Sequence, residues 1–182
     1  RESCRSTDHP YRGKRAMDLA MLAFAVIPAF RVGLVCALAV RLTSRGPVFF
    51  RQVRVGRHGR EFRILKFRTM HVDAPSTGPQ ITVGRDPRIT RCGHLLRKYK
   101  IDEFPQFINV LVGDMSVVGP RPEVPRYVAM YPPATRGLVL SVRPGITDLA
   151  SIEYRDENDL LGRSADPERT YVEQVMPAKL AF

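Results

Sequence analysis

Residues 19 to 40, LAMLAFAVIPAFRVGLVCALAV, form the single long apolar run of this chain. At 1.5 Å per residue a helix of that length reaches across a bilayer, which takes about 20 residues. Two residues in its middle oppose a simple crossing. Pro28 removes a backbone donor and interrupts the helical ladder, and Arg31 would carry a charge into hydrocarbon at a cost of at least ~2.5 kcal/mol. Cations flank both ends, Lys14 and Arg15 before the run and Arg41 and Arg45 after it. Positive flanks stay cytoplasmic, so both ends are expected on one side. The pattern predicts a helix that enters the membrane, turns at Pro28 and returns to the same face. A helix that crosses fully and a buried core helix are the weaker alternatives. No small-residue cleavage site follows closely, which argues against a removed signal peptide.

The remaining chain is one domain's worth of sequence, long enough for a core without staples. Residues 1–13 are polar and read as a loose segment, 14–45 as the membrane hairpin and 46–182 as a cytosolic domain. Around the turn at 56–59, the stretches 48–50 and 62–67 read as short strands. Residues 73–86 are rich in Pro, Gly, Ser and Thr and read as a mobile loop, a lid over a site. Residues 89–100 predict a basic amphipathic helix suited to a membrane interface. The span 115–125 reads as a proline-rich turn and 143–147 as a tight loop. A helix over 125–140 is expected to break at Pro132-Pro133. A final helix starts at Asp166, with Pro167 in its first position. Three scattered cysteines, Cys4, Cys36 and Cys92, have no zinc spacing and fit a reducing compartment.

Lys and Arg total 29 against 18 acids, a formal charge of +11, which calls for an anionic partner. Nucleic acid, anionic lipid and a phosphorylated substrate all qualify. No Trp is present and no aromatics interleave the arginines, which weakens the nucleic-acid reading. Salt-dependent DNA binding is the test that would restore it.

Within this basic chain, Asp102 and Glu103 stand side by side, after Lys98 and Lys100 and ahead of Arg121. Asp102 suits a helix N-cap and Pro105 a first turn. Phe104, Phe107, Ile108 and Leu111 recur at helical spacing, so a helix is expected to begin near Asp102. A carboxylate among cations stays ionised and can serve as nucleophile or metal ligand. A solvated pair that merely caps a helix is the plain alternative. Asn109 and Asp114 read as supporting or structural, and His9, His58, His71 and His94 have no partner spacing that suggests catalysis.

The chain resembles the monotopic polyprenyl-phosphate phosphoglycosyl transferases, the bacterial sugar transferases, over most of residues 14–179. The blocks that carry the likeness stand in that family's order. They are Lys14-Arg15-x-x-Asp18, Gly46-Pro47-Val48-Phe49-Phe50-x-Gln52-x-Arg54-x-Gly56, Phe62-x-x-x-Lys66-Phe67-Arg68-Thr69-Met70 and Asp86-Pro87-Arg88-Ile89-Thr90-x-x-Gly93. The block Asp102-Glu103-Phe104-Pro105-Gln106 follows, then Gly119-Pro120-Arg121-Pro122 and Arg143-Pro144-Gly145-Ile146-Thr147. The chain departs from the family pattern at Ile27, where a small polar residue is common, and at Asp148-Leu149-Ala150-Ser151, where many members have Gly-Trp-Ala-Gln. Members usually continue beyond Lys179 with further amphipathic helices, so a trimmed chain is expected.

The resemblance implies an α+β fold: a re-entrant membrane helix, a β-hairpin and interfacial helices around a small catalytic domain. It implies transfer of a phospho-sugar from a nucleoside diphosphate sugar, usually a UDP-sugar, to polyprenyl phosphate, with release of UMP. That step starts glycan assembly on the cytoplasmic face of the bacterial inner membrane. It makes Asp102 the nucleophile and Glu103 a ligand of Mg²⁺, an ion that binds one or two carboxylates plus substrate phosphates. Arg121, between two prolines, is the first candidate to hold phosphate, Arg143 the second, and Lys66, Arg68 and Arg88 follow. A homo-oligomer is compatible with this reading. The alternatives are an inactive membrane-anchored relative and a basic nucleic-acid-binding domain.

Overall fold

The computed structural model describes residues 13–74, 82, 86–154 and 156–182. The N-terminal segment and most of the expected lid loop lie outside the described residues, as do Cys4 and His9.

Helix α1 (Lys14–Thr43) is one 30-residue helix with Pro28 inside it, about 45 Å if straight. Among the described residues it is the one helix long and apolar enough to cross a membrane. Its two ends rest on the rest of the protein. Asp18 and Leu22 are buried near its start and Cys36 and Val40 near its end. Between them Phe24, Ile27 and Phe30 are 87%, 63% and 72% exposed.

Specific contacts hold both ends. The Arg15 guanidinium donates to the carbonyls of Val110 and Leu111, the last turn of α3 (Gln106–Val112), where orphan carbonyls favour a cation. Asp18 accepts from the Ser116 hydroxyl and the Val117 N–H, at 2.8 and 3.1 Å. At the far end Arg68 donates to the Ser44 and Arg45 carbonyls at 2.9 and 2.8 Å and to the Ser44 hydroxyl at 2.7 Å. Gly46, at φ 114°, completes this turn; a Cβ there would lie 2.2 Å from Arg68 Nη1.

Strands β1 (Phe49–Val55) and β2 (Glu61–Phe67) form the expected antiparallel hairpin. β2 distributes its side chains by strand alternation. Ile64 joins Leu22, Val110 and Met115 in one core cluster, and Phe67 joins Cys36, Val40 and Leu96 in another. Asn109 closes the open edge of β2, donating to the Arg63 carbonyl and accepting the Leu65 N–H at 2.9 and 3.0 Å; its role is structural. Helix α2 (Arg91–Lys98) is capped by Thr90.

Two stretches read as turn and loop are strands. β3 (Ser116–Val118) and β4 (Gly145–Thr147) pair in parallel. Three residues each gave no alternation to read. Close backbone approach permits the pair: a Cβ on Gly145 would lie 2.1 Å from the Gly119 nitrogen.

Helices α4 (Pro125–Val128) and α5 (Pro133–Val139) are separated at the Pro132-Pro133 break, as expected. After β4 come α6 (Leu149–Glu153), α7 (Glu157–Gly162) and α8 (Pro167–Thr170), whose Asp166 cap is also as expected. A π turn (Tyr171–Val175) and α9 (Met176–Lys179) follow. Tyr127, Tyr131, Leu161, Tyr171 and Val175 gather into the largest core cluster.

The Asp18 contacts give a stability prediction. Asp18→Ala leaves the Val117 N–H without an acceptor and the buried Ser116 hydroxyl with only the Val118 carbonyl, at 3.1 Å. It is expected to lower unfolding stability by about 2 kcal/mol, measured by urea unfolding in detergent micelles. An unchanged midpoint would show that these bonds do not hold α1 in place.

Candidate active site

The Asp-Glu pair does not cap a helix. Ile101–Glu103 is a single 3₁₀ turn, and α3 begins three residues later with Pro105 before it. Lys100, at φ 56°, reverses the chain out of α2. This left-handed residue and the tight turn explain why helical periodicity placed the start too early. The turn aims both carboxylates inward: Asp102 is 8% exposed and Glu103 9%.

Glu103 is held from two sides. Lys66, on β2, donates to Oε1 at 2.9 Å. Arg121 donates through Nη1 to Oε2 at 3.2 Å and through Nη2 to Oε1. Burial alone would raise the Glu103 pKa. The charges of Arg121 and Lys66, with their hydrogen bonds, overcome this and hold it far below the usual carboxylate range. Burial and the Arg121 charge lower the Lys66 pKa, with Glu103 opposing. Burial would lower Arg121 as well, but Glu103 reverses the direction and raises it.

Asp102 differs. No described residue makes a hydrogen bond to its carboxylate. Burial raises its pKa; Lys66 pulls the other way, Glu103 adds to the rise, and Arg97 and Lys100 oppose it. Of the cations the sequence set around the pair, Lys100 acts on Asp102, joined by Lys66 and Arg97, yet desolvation outweighs them. Adjacent carboxylates with oppositely shifted pKa values are a common arrangement for divided chemical roles. A buried carboxylate without donors is also poorly solvated and so more reactive toward an electrophile.

Arg121 is set by its backbone. Its N–H donates to Asp148 Oδ2 at 2.9 Å, and Asp148 Oδ1 caps α6 through the Ser151 N–H. The departure at 148–151 thus has a structural use: Asp148 ties the Arg121 loop to α6.

The other candidates divide. Lys66 and Arg121 meet at Glu103. Arg68 is spent on the carbonyls after α1 and anchors that helix rather than facing the carboxylate pair. Arg88 forks onto Asp86 at 2.6–3.1 Å and reaches back to the Ala74 carbonyl at 3.4 Å, tying together the two ends of the 74–86 segment. The Arg143 carbonyl lies against Gly119, and no ion pair joins Arg143 to Glu103. Two residues were not singled out from sequence. Arg97 acts on Asp102 electrostatically and donates to the Thr69 hydroxyl at 2.8 Å; its place in the basic helix expected over 89–100 was the only signal. Arg54 donates to the Pro122 carbonyl and to Glu123 at 3.1 and 3.4 Å, bracing the loop beside Arg121.

Among the described residues no group of three or more His, Cys, Asp or Glu side chains converges as a metal site. Magnesium held largely by substrate phosphates does not need one. Glu103 Oε2 accepts from Arg121 alone while Oε1 accepts from both cations, so Oε2 keeps a lone pair for a ligand bond.

The family model for bacterial sugar transferases matches residues 10–178. Among curated proteins, the UDP-glucose:undecaprenyl-phosphate glucose-1-phosphate transferase of Escherichia coli is 42% identical over 81% of this chain and 32% of its own length. The UDP-N-acetylgalactosamine-undecaprenyl-phosphate N-acetylgalactosaminephosphotransferase of Aeromonas hydrophila is 41% identical over 87% of this chain and 36% of its own. An uncharacterized sugar transferase of Bacillus subtilis is 41% identical over 79% of this chain and 69% of its own. The chain belongs to the bacterial sugar transferase family. It spans about a third of the length of the first two relatives.

The Glu103 pairing has a pH signature. A depressed folded pKa contributes stability that is complete above the ordinary glutamate value of about 4.3 and is withdrawn as pH falls toward the folded value. Glu103→Gln is expected to cost about 2 kcal/mol at pH 7, because two cations lose their counter-charge. The deficit relative to wild type should shrink below about pH 4.3. Urea midpoints across pH 3–7 check this, and a pH-independent deficit would contradict it.

Proposed function

We propose that this protein transfers a phospho-sugar from a UDP-sugar to polyprenyl phosphate at the cytoplasmic face of a bacterial inner membrane. The observation that carries the proposal is the asymmetry of the two carboxylates: Glu103 is neutralised by Lys66 and Arg121, while Asp102 is buried beside it without a hydrogen bond. Relatives of this chain are named for transfer from UDP-glucose or UDP-N-acetylgalactosamine to undecaprenyl phosphate.

In this reading an Asp102 carboxylate oxygen attacks the sugar-bearing phosphorus. The bond from that phosphorus to the bridging oxygen breaks, and UMP leaves with the electron pair. An aspartyl-phosphosugar remains. An oxygen of the polyprenyl phosphate then attacks the same phosphorus, the bond to Asp102 breaks, and the carboxylate is restored. The two half-reactions let one small site serve a soluble donor and a membrane acceptor in turn. Lys66, Arg121 and Arg97 offset charge on the pyrophosphate, a task to which arginine forks are suited. Glu103 is the residue to hold Mg²⁺ brought with the pyrophosphate, and the ion would supply further charge neutralisation.

The membrane part of the proposal is a re-entrant α1. What supports it is that Arg15 and Asp18 at one end, and the Arg68-bound turn at the other, are fastened to the same domain, with the exposed aromatic residues between them. Such a helix would present Asp102 chemistry at the depth of the lipid phosphate. Single cysteines at Arg12 and Arg45, in a background without the native cysteines, should both resist an impermeant thiol reagent added to intact cells. Labelling of one from outside would establish a full crossing.

Covalent catalysis is tested with donor alone. Wild type with UDP-glucose or UDP-N-acetylgalactosamine and Mg²⁺, without lipid, should release up to about one UMP per active enzyme and stall. Mass spectrometry should place the phosphosugar on the Asp102 peptide, Asp102→Asn should carry none, and excess chelator should suppress the burst. An enzyme that turns over with lipid but gives no burst or adduct without it would require direct attack by the lipid phosphate.

A further inference from the structure

Next to the Glu103 ion pairs lies a small open pocket lined by Arg54, Ile64, Lys66, Gln106, Arg121 and Pro122. Gln106 is 1% exposed. Its Nε2 is buried without a hydrogen-bond partner, and so is Arg54 Nε. No described residue bonds to the other end of the Gln106 amide either. Arg54 has used its other nitrogens on Gln52, Pro122 and Glu123, leaving Nε as its spare donor.

Buried N–H groups without acceptors are rare and costly. Two on the wall of one pocket mark a place for an acceptor that arrives from outside. The charge of the pocket says which kind. Lys66, Arg54 and Arg121 line it, against the carboxylates of Glu103 and Glu123 that pair with them. No carboxylate lines the pocket itself, so its wall is cationic, and a sugar hydroxyl or a nucleobase carbonyl would not use that charge. A phosphate oxygen has both the lone pairs and the charge.

We propose that this pocket is a phosphate subsite in which the Gln106 amide and Arg54 Nε–H donate to a phosphate oxygen of a substrate. It rests on the transferase reading and adds two residues to the cations already placed there. Gln106 begins α3, directly after the Asp102–Glu103 turn, and Arg54 lies on β1. A phosphate bridging them would tie the reactive turn to the hairpin. The nucleoside monophosphate that leaves and the lipid phosphate that arrives share this chemistry.

The test uses the full chain in nanodiscs. UMP, and separately undecaprenyl phosphate in the bilayer against plain bilayer, are titrated calorimetrically with wild type and Gln106→Leu. Affinity for one of the two should fall about tenfold, the scale of one hydrogen bond to a charged group. Loss of UMP affinity assigns the subsite to the nucleotide phosphate, and loss of lipid affinity to the acceptor. Because the amide has no partner in the free protein, the Tm of Gln106→Leu should match or exceed that of wild type. Unchanged affinity for both ligands overturns the proposal, as does a lower Tm with both affinities intact, which would give the amide a purely structural role. A separate assay of wild-type UMP release from UDP-glucose with undecaprenyl phosphate tests the transferase reading. If that fails while Gln106→Leu still weakens UMP binding, the subsite stands and the reaction assigned to it falls.

Discussion

Charge balance at Glu103 organises the site. Lys66 comes from a strand, Glu103 from a 3₁₀ turn and Arg121 from a loop between prolines, and one carboxylate brings them together. Removing three charges from water costs several kcal/mol per ion unless each is paired. The arrangement therefore forms as a unit: the hairpin, the turn and the Arg121 loop must be in place together. The parallel β3–β4 pair and Asp148 hold the third member, since they set the backbone from which Arg121 reaches out. Arg54 braces the same loop from β1.

The same pairing separates the two carboxylates. Glu103 is held by two cations and ionised far into acid, whereas Asp102 receives charge from a distance but no hydrogen bond. Local sequence treats the residues alike; the difference is one of direction. The tight turn points neighbouring side chains to different surroundings, one onto the cations and the other into buried surroundings without a donor. For the proposed chemistry this matters, because a nucleophile already bonded to arginine would have to give up those bonds to attack.

Attachment of α1 is the second constraint. An apolar helix with Phe24 and Phe30 exposed has no reason to stay on a small basic domain by hydrophobic packing alone. Its polar ends fasten it: Arg15 on the carbonyls of α3, Asp18 on β3, and Arg68 on the turn after the helix. Since α3 directly follows the Asp102–Glu103 turn, the membrane helix and the candidate site share one support.

Much of this was legible from residues alone. Apolar length, Pro28 and the flanking cations marked α1; Gly56–Gly59 marked the hairpin; Pro132-Pro133 and Asp166-Pro167 marked helix boundaries. These are local signals, written in dihedral preferences and side-chain periodicity. Asp102, Glu103, Lys66 and Arg121 were named from the order of motif blocks, which also identified the family. What sequence could not supply was partnership across distance. Arg68, Arg88 and Arg121 look equivalent as isolated arginines, yet one closes a helix end, one closes a loop and one meets Glu103. The β3–β4 strands are too short to show alternation and exist because Gly119 and Gly145 let two remote backbones touch. Gln106 read as part of a helix, and its lack of a partner emerges only once everything around it is packed. Local order follows from each residue's own covalent limits, but which charge is spent and which is left free is decided by the neighbours the fold assembles.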